Sequence, residues 1–169
     1  MPRSRSLLLP SILAVTSAVV VVIAVFTPWY QTAIGPATAP DTVSGWDATA
    51  SAKLAVAAAG ICALSAAVVA FDVRGEVVLH GPVRRIMAGI AFATALVVAV
   101  CILLRLAVPP DPALGVTRQL GLIIAAVASV TGLWAAGAQF SRTFPERPRA
   151  SRRRPRAPRR AGPAPDAPR

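Results

Sequence analysis

The stretch LLLPSILAVTSAVVVVIAVF, residues 7–26, runs without a single charged side chain. At 1.5 Å rise per residue, a helix of about 20 residues matches the ~30 Å hydrocarbon core of a bilayer. Arg3 and Arg5 precede it, and a secretory signal peptide has the same charge order. Two features favour a retained helix. The apolar region of a signal peptide is only ~7–15 residues long. The best small-residue cleavage site, Ala37-Thr38-Ala39, is followed by Pro40, a poor residue to cleave before. As a retained helix, the stretch makes the number of spans even and places both termini on one side.

Three further stretches repeat the pattern, Ala50–Phe71, Ile86–Val108 and Leu120–Phe140. Across all four, the only charged residues are Lys53 and Arg105, each close to an end. The expected fold is all-α: a four-transmembrane-helix bundle with helices at about 7–26, 50–71, 86–108 and 120–140. These form one membrane domain, residues 1–140, followed by a disordered Arg/Pro/Ala-rich tail, residues 141–169. The composition agrees, with 55% hydrophobic and 15% charged residues. No other segment has the ~50 residues that a separate soluble domain needs.

The second span is ten-twenty-seconds alanine, and alanine partitions only weakly into lipid. Its compensation is close packing. Ala55, Ala59, Ala63 and Ala67 repeat every four residues beside Ala58, Cys62, Ala66 and Ala70. Small residues at this spacing let another backbone approach closely, so the second span is expected at the centre of the bundle. Ala88, Ala91, Ala95 and Ala99 in the third span and Ala128, Gly132 and Ala136 in the fourth offer matching faces.

The connections differ in character. Thr27–Thr49 contains Pro28, Pro36, Pro40, Gly35 and Gly45, which oppose regular elements and favour turns. Trp29, Tyr30 and Trp46 flank it, as amphipathic rings do at the headgroup level. Asp72–Arg85 is a short charged hairpin in which Gly81-Pro82 starts the next helix, since proline suits a first turn. Pro109-Pro110 ends the third span, because proline removes a donor and clashes with the preceding turn. The tail has almost nothing larger than alanine to bury and cannot offset the entropy of ordering.

The net charge is +11, and it is lopsided. Arg3, Arg5, Arg74, Arg84, Arg85 and the ten arginines of residues 141–169 share one side; Lys53, Arg105 and Arg118 share the other. Cytoplasmic segments carry the excess of Lys and Arg. Both termini are therefore expected in the cytoplasm. Alanine, arginine and proline dominate the composition, which suggests a GC-rich bacterial genome and so a bacterial plasma membrane.

The sequence offers little for catalysis. No Asp or Glu lies within a span, whereas ion-coupled transporters place ionisable groups there. Lys53 and Arg105 sit within about a turn of the interface and can snorkel. His80 is the only histidine, and it builds no metal set with Cys62 and Cys101. Those cysteines differ in depth by roughly 8–9 Å at the helical rise, beyond the ~4.4–6.8 Å of a disulfide, so both are expected as free buried thiols. No nucleophile triad, phosphate loop or zinc motif is present. The chain reads as non-enzymatic, with no cofactor, catalytic residue or metal ligand.

The distinctive constellation is Pro28-Trp29-Tyr30 with Ser44-Gly45-Trp46-Asp47. Gly45 can provide a turn and Trp46 an anchor. Asp47 can cap the helix starting near Ala50, or pair with Lys53 or Arg118. Trp29, Tyr30, Trp46 and Asp47 are candidate contacts for a partner or a lipid. In the tail, Arg152, Arg153, Arg154 and Arg156 are candidate contacts for anionic headgroups, worth about 1 kcal/mol each near a surface. Nucleic acid is disfavoured, because no aromatic residue follows Phe144 to stack on bases.

With its Ala-rich second span, a first span ending in Pro28-Trp29-Tyr30 and a loop ending in Ser44-Gly45-Trp46-Asp47-Ala48 resembles actinobacterial four-span integral membrane proteins of unknown function. A weaker resemblance is to the actinobacterial membrane protein associated with tryptophan biosynthesis. The likeness implies a plasma-membrane location and no activity. Two functions stay open: a scaffold or accessory subunit contacting membrane proteins through Ala-rich faces, and a small transport component for a neutral or lipid-like substrate. Orientation is directly testable. A Thr42→Cys variant is expected to react with a membrane-impermeant thiol reagent in intact cells and Ser151→Cys only after lysis; the reverse pattern overturns the orientation.

Overall fold

The computed structural model describes residues 2–32, 41–108 and 117–144, and the side chains of residues 7–31, 42–108 and 119–144. In chain order the elements are helix α1 (Pro2–Val25), strands β1 (Pro28–Thr32) and β2 (Asp41–Ser44), the one-turn helix α2 (Gly45–Ala48), helices α3 (Ala50–Arg74) and α4 (Gly81–Ala107), strand β3 (Thr117–Arg118) and helix α5 (Leu120–Arg142). The four long helices α1, α3, α4 and α5 are each long and apolar enough to cross a membrane, as expected. The three short strands share one end of the bundle, called here the sheet end. The opposite end, where α1 begins and α5 finishes, is the tail end. Residues 145–169, with Arg152, Arg153, Arg154 and Arg156, lie outside the described residues.

The helices form a closed square in which α1 packs on α3 and α5, and α4 packs on the same two, while the diagonal pairs barely touch. The second span, α3, is therefore one wall of four and not the centre. The reason lies in its neighbours, which also carry small residues in their inward rows.

In each helix one buried row alternates steps of three and four residues, with further buried residues beside it such as Ala58, Ser65, Ala99 and Ala135. In α3 the buried row is Ala52, Ala55, Ala59, Cys62, Ala66 and Val69; in α4 it is Ala88, Ala91, Ala95, Val98 and Ile102. In α5 it is Leu122, Ala125, Ser129, Gly132, Ala136 and Gln139. In α1 it is Leu7, Ser11, Ala14, Ala18, Val21 and Val25. A seven-residue repeat keeps a seam facing its partner through a left-handed supercoil. The α3 seam crosses between the two alanine rows visible in the sequence, leaving Ala63, Ala67 and Ala70 only half-buried.

Large apolar side chains point the other way. Leu64 is 71% exposed and Leu120 69%, with Leu9, Ile23, Leu104 and Val127 also outward. A water-soluble bundle buries its largest apolar groups. In a bilayer, lipid tails are as apolar as leucine, and helices associate through close packing. Small inside and large outside is the arrangement of a multi-pass membrane protein.

Local chemistry sets the helix ends. At the tail end, Gly75 adopts φ 81°, a left-handed conformation suited to glycine. The turn brings the Glu76 amide to the Phe71 carbonyl at 3.0 Å. Asp72, read in the sequence as one charge of a mixed hairpin, closes that hairpin. Its Oδ1 accepts from the Leu79 amide at 2.8 Å, and its Oδ2 pairs with Arg84 Nε at 2.6 Å, with the Asp72 side chain 4% exposed. Pro82 sits in the first turn of α4 as expected, and α4 ends at Ala107 with Val108 extended before Pro109. Across the α4–α5 wall, Phe92 lies over Gly137 and Phe140 over Gly89, and the two rings stack at 5.8 Å and 6°. Pro10 lies inside α1 and is buried, leaving the Ser6 carbonyl without its usual amide partner.

Close packing makes the interior sensitive and the exterior tolerant. Ala59→Leu, in the α3 seam, is expected to cost about 1–3 kcal/mol by overpacking. Leu64→Ala, facing outward, is expected to stay within about 0.5 kcal/mol of the parent. Thermal unfolding in detergent micelles checks both.

Candidate functional site: a capping sheet over one end of the bundle

The segment expected to lack regular structure supplies two strands of a three-stranded antiparallel sheet in the order β2-β1-β3, and the link before α5 supplies the third. Pro28 is tolerated because it opens β1, a position that needs no ladder donor. The remaining residues of β1, Trp, Tyr, Gln and Thr, include three strand formers. Pro36, Pro40 and Gly35 lie outside the described residues. Pairing runs Pro28 with Ser44, Tyr30 with Val43, Gln31 with Thr42 and Thr32 with Asp41, and the register slips between Pro28 and Tyr30. On the other edge Tyr30 pairs with Arg118 and Gln31 with Thr117.

That slip decides where the aromatic residues go. Successive strand residues ordinarily face opposite sides, but an extra residue re-aims the chain. Trp29 and Tyr30 consequently both turn into the bundle, 0% and 2% exposed. Trp29 Nε1 donates to the Ala24 carbonyl at 2.7 Å, and Tyr30 Oη donates to the Arg105 carbonyl at 3.2 Å. Both acceptors lie in the last turns of α1 and α4, where the donor four residues on is a proline, Pro28 or Pro109, and of backbone amides Ala24 accepts only that of Thr27, at 3.2 Å. In hydrocarbon an unmet carbonyl is costly, so the two aromatic side chains act as helix caps. Thr27 adds a third bond to Ala24, from its Oγ1 at 2.7 Å.

The sheet is seated by two glycines. A Cβ on Gly45 would overlap the Trp29 ring, with its Cζ2 at 2.8 Å. Among the described residues only Gly75 has positive φ, so Gly45 serves close approach and not the turn expected of it. A Cβ on Gly121, at the start of α5, would stand 2.7 Å from the Pro28 carbonyl oxygen. Gln119 completes the attachment. Its amide donates to the Trp29 carbonyl at 2.9 Å and its Nε2 to Gln31 Oε1 at 2.6 Å.

The candidate contact residues thus divide. Trp29 and Tyr30 are interior caps, not rings at the headgroup surface. Trp46 is half-buried, with Phe26 stacked on it at 5.3 Å and Lys53 Nζ 5.4 Å from its centroid. This cation over an aromatic face accounts for Lys53 at the membrane edge. Asp47 is engaged by Ser44, whose Oγ donates to Asp47 Oδ2 at 2.7 Å and accepts from the Asp47 amide at 3.2 Å. Asp47 therefore belongs to the cap of α2. The cap of α3 is Thr49, whose Oγ1 accepts from the Ala52 amide at 3.3 Å. No ion pair of Asp47 with Lys53 occurs among the described residues, and the Arg118 side chain lies outside them. Arg105 Nε donates to Ser51 Oγ at 2.7 Å, tying α4 to α3.

Cys62 and Cys101 are free and buried. Among the described residues no group of three His, Cys, Asp or Glu side chains could hold a metal. Sequence reasoning missed Gln31, Thr49 and Gln119 as structural polar residues. Thr49 had a readable signal, a β-branched hydroxyl just before an alanine-rich helix. The glutamine pair had none, since its partners lie 88 residues apart.

Comparisons with protein families, curated proteins and solved structures return no match. The class defined by the fold is a four-helix multi-pass membrane protein with a capping sheet at one end.

The seat of Trp29 gives a graded test. Trp29→Phe removes one buried donor and is expected to cost about 1–3 kcal/mol. Gly45→Ala, which displaces the whole ring, is expected to cost at least as much, while Trp46→Ala costs less than either. Thermal unfolding with proteolysis of the sheet end ranks the three.

Proposed function

We propose that the protein is a non-enzymatic scaffold or accessory subunit of a bacterial plasma-membrane complex, with both termini in the cytoplasm. The observation that carries this reading is the filled interior. The space between the helices lined by Ser17, Ser129 and their alanine neighbours has a volume of about 10 Å³, and a site for a small molecule needs about 300 Å³ or more. The transport reading requires a route between the spans, and the alanine seams leave no width for a solute. The polar groups of the sheet also satisfy one another or cap helices, which leaves little to bind a substrate.

Two features remain to meet other molecules. One is the outward face of the helices, including Trp134 at 65% exposure; a large, rigid aromatic group of this kind is a common anchor in protein contacts. The other is the Arg-rich tail, attracted to anionic headgroups and fitted to keep that end at the inner leaflet. The resemblance to actinobacterial four-span proteins belongs to the same proposal and adds no activity to it.

The test is photocrosslinking of the full chain in cells, with a photoreactive residue at Trp46, Trp134 or Ala157, followed by mass spectrometry. A discrete protein adduct at one of these sites is expected, together with anionic phospholipid at Ala157. Bulk lipid alone at all three overturns the scaffold reading.

A further inference from the structure

The two halves of the bundle interior differ in polarity. Toward the sheet end the core is closed by Val21, Val25, Ile102 and Leu122, with Trp29 and Tyr30 above them. Between Thr49 at that rim and the level of Ser17 and Ser129, the described residues bury no polar side chain. From that level to the tail end the buried polar groups are Ser17, Ser129, Ser65, Ser11 and Gln139. The residues among them are mostly alanines, including Ala14, Ala66, Ala91 and Ala136, with Cys62.

Most of these hydroxyls have spent their proton. Ser11 donates to the Leu7 carbonyl, Ser65 to Ile61 and Ser129 to Ala126, at 2.6–2.8 Å. Their remaining capacity is to accept. Two groups are not satisfied. Gln139 is 0% exposed, and its Nε2 donates to Ser11 Oγ at 3.0 Å while its Oε1 has no partner. Ser17 makes no hydrogen bond among the described residues, and it lines the space of about 10 Å³ together with Ser129, Cys62 and Gly132. A buried unpartnered amide oxygen costs free energy. A space of about 10–15 Å³ with two to four polar partners is the least that holds one water molecule.

We propose that the tail-end half of the bundle is hydrated, with one water bound between Ser17 and Ser129 and entering past Gln139. In the bound position the water accepts from the Ser17 hydroxyl and donates to Ser129 Oγ. Gln139 Oε1 accepts from a second water at the entrance. Ser11 lies six residues from Ser17, so about 9 Å of alanine-lined seam separates the two positions at the helical rise. Among the described residues no acidic or basic side chain faces this seam, which suits it to a neutral hydrogen-bonding molecule of water's size. Val21 forms the apolar wall of the space on its sheet-end side, and the layer of Val25, Ile102 and Leu122 beyond it stops the path before it reaches that end. The bundle is thus wet from one side only.

The test is water-edited solid-state NMR on the full chain in phospholipid bilayers, recording magnetisation transfer from water to assigned side chains. Rapid transfer to Gln139, Ser17 and Ser129 is expected, with transfer to Val25 and Ile102 at least severalfold slower. Equal, slow transfer to all five overturns the bound water. In Gln139→Leu the build-up at Ser17 and Ser129 is expected to slow severalfold; an unchanged build-up overturns the entry route. Because that variant also removes the Ser11 bond, Ser129→Ala provides a second measurement. It leaves the packing almost unaltered and is expected to weaken transfer at Ser17 while leaving Gln139 unaffected. Undiminished transfer at Ser17 overturns the assignment of Ser129 as a water ligand.

Discussion

Close approach of backbones is the constraint on which the structure depends. In hydrocarbon nothing drives leucine inward, so four helices hold together only where their surfaces can come near enough for dispersion to accumulate. Alanine, glycine and serine at alternating spacings of three and four supply that proximity on every wall. The outward leucines and valines follow from the same constraint, since they meet lipid at no cost. The reciprocal seating of Phe92 on Gly137 and Phe140 on Gly89 shows how a large ring is admitted: only opposite a residue with no side chain.

The capping sheet answers a second demand of the same solvent. Helices that end near a membrane surface leave carbonyls without amides, and water is scarce there. Trp29, Thr27 and Tyr30 bring polar hydrogens to those carbonyls on apolar bodies that also fill the end of the core. The sheet joins the last turn of α1, the last turn of α4 and the first turn of α5, so three helix ends share one set of bonds. At the opposite end Asp72 works in the same economical way, meeting one amide and one guanidinium across a six-residue turn.

Much of this architecture was legible in the sequence. The four spans followed from the absence of charge, and the helix starts and stops followed from Gly81-Pro82 and Pro109-Pro110. The buried stripes were half legible. Spacing of four in alanine marked the right helices, but the seam that packs alternates three and four and mixes two rows, which a single-period reading cannot separate. The sheet was not legible, because prolines and glycines dominate that segment and the pairing depends on residues far apart, such as Gln31 with Gln119. Trp29 looked like a headgroup anchor because composition cannot say which way a ring turns; the register slip beside it decides that. Asp47 and Thr49 both had the chemistry of a cap, and only the geometry assigned each to its helix.

The register slip between Pro28 and Tyr30 makes β1 a measured spacer. With it, two consecutive aromatic side chains reach two different helix ends from one strand. Loss or gain of a single residue there would reverse the side on which Tyr30 emerges, freeing the end of α4 and turning the phenol out of the bundle. Changes of length between β1 and β2 would alter neither contact. Variation in the length of this segment should accordingly be confined to the tip of the hairpin, and the seven positions from Ala24 to Tyr30 should behave as a fixed reading frame for the fold.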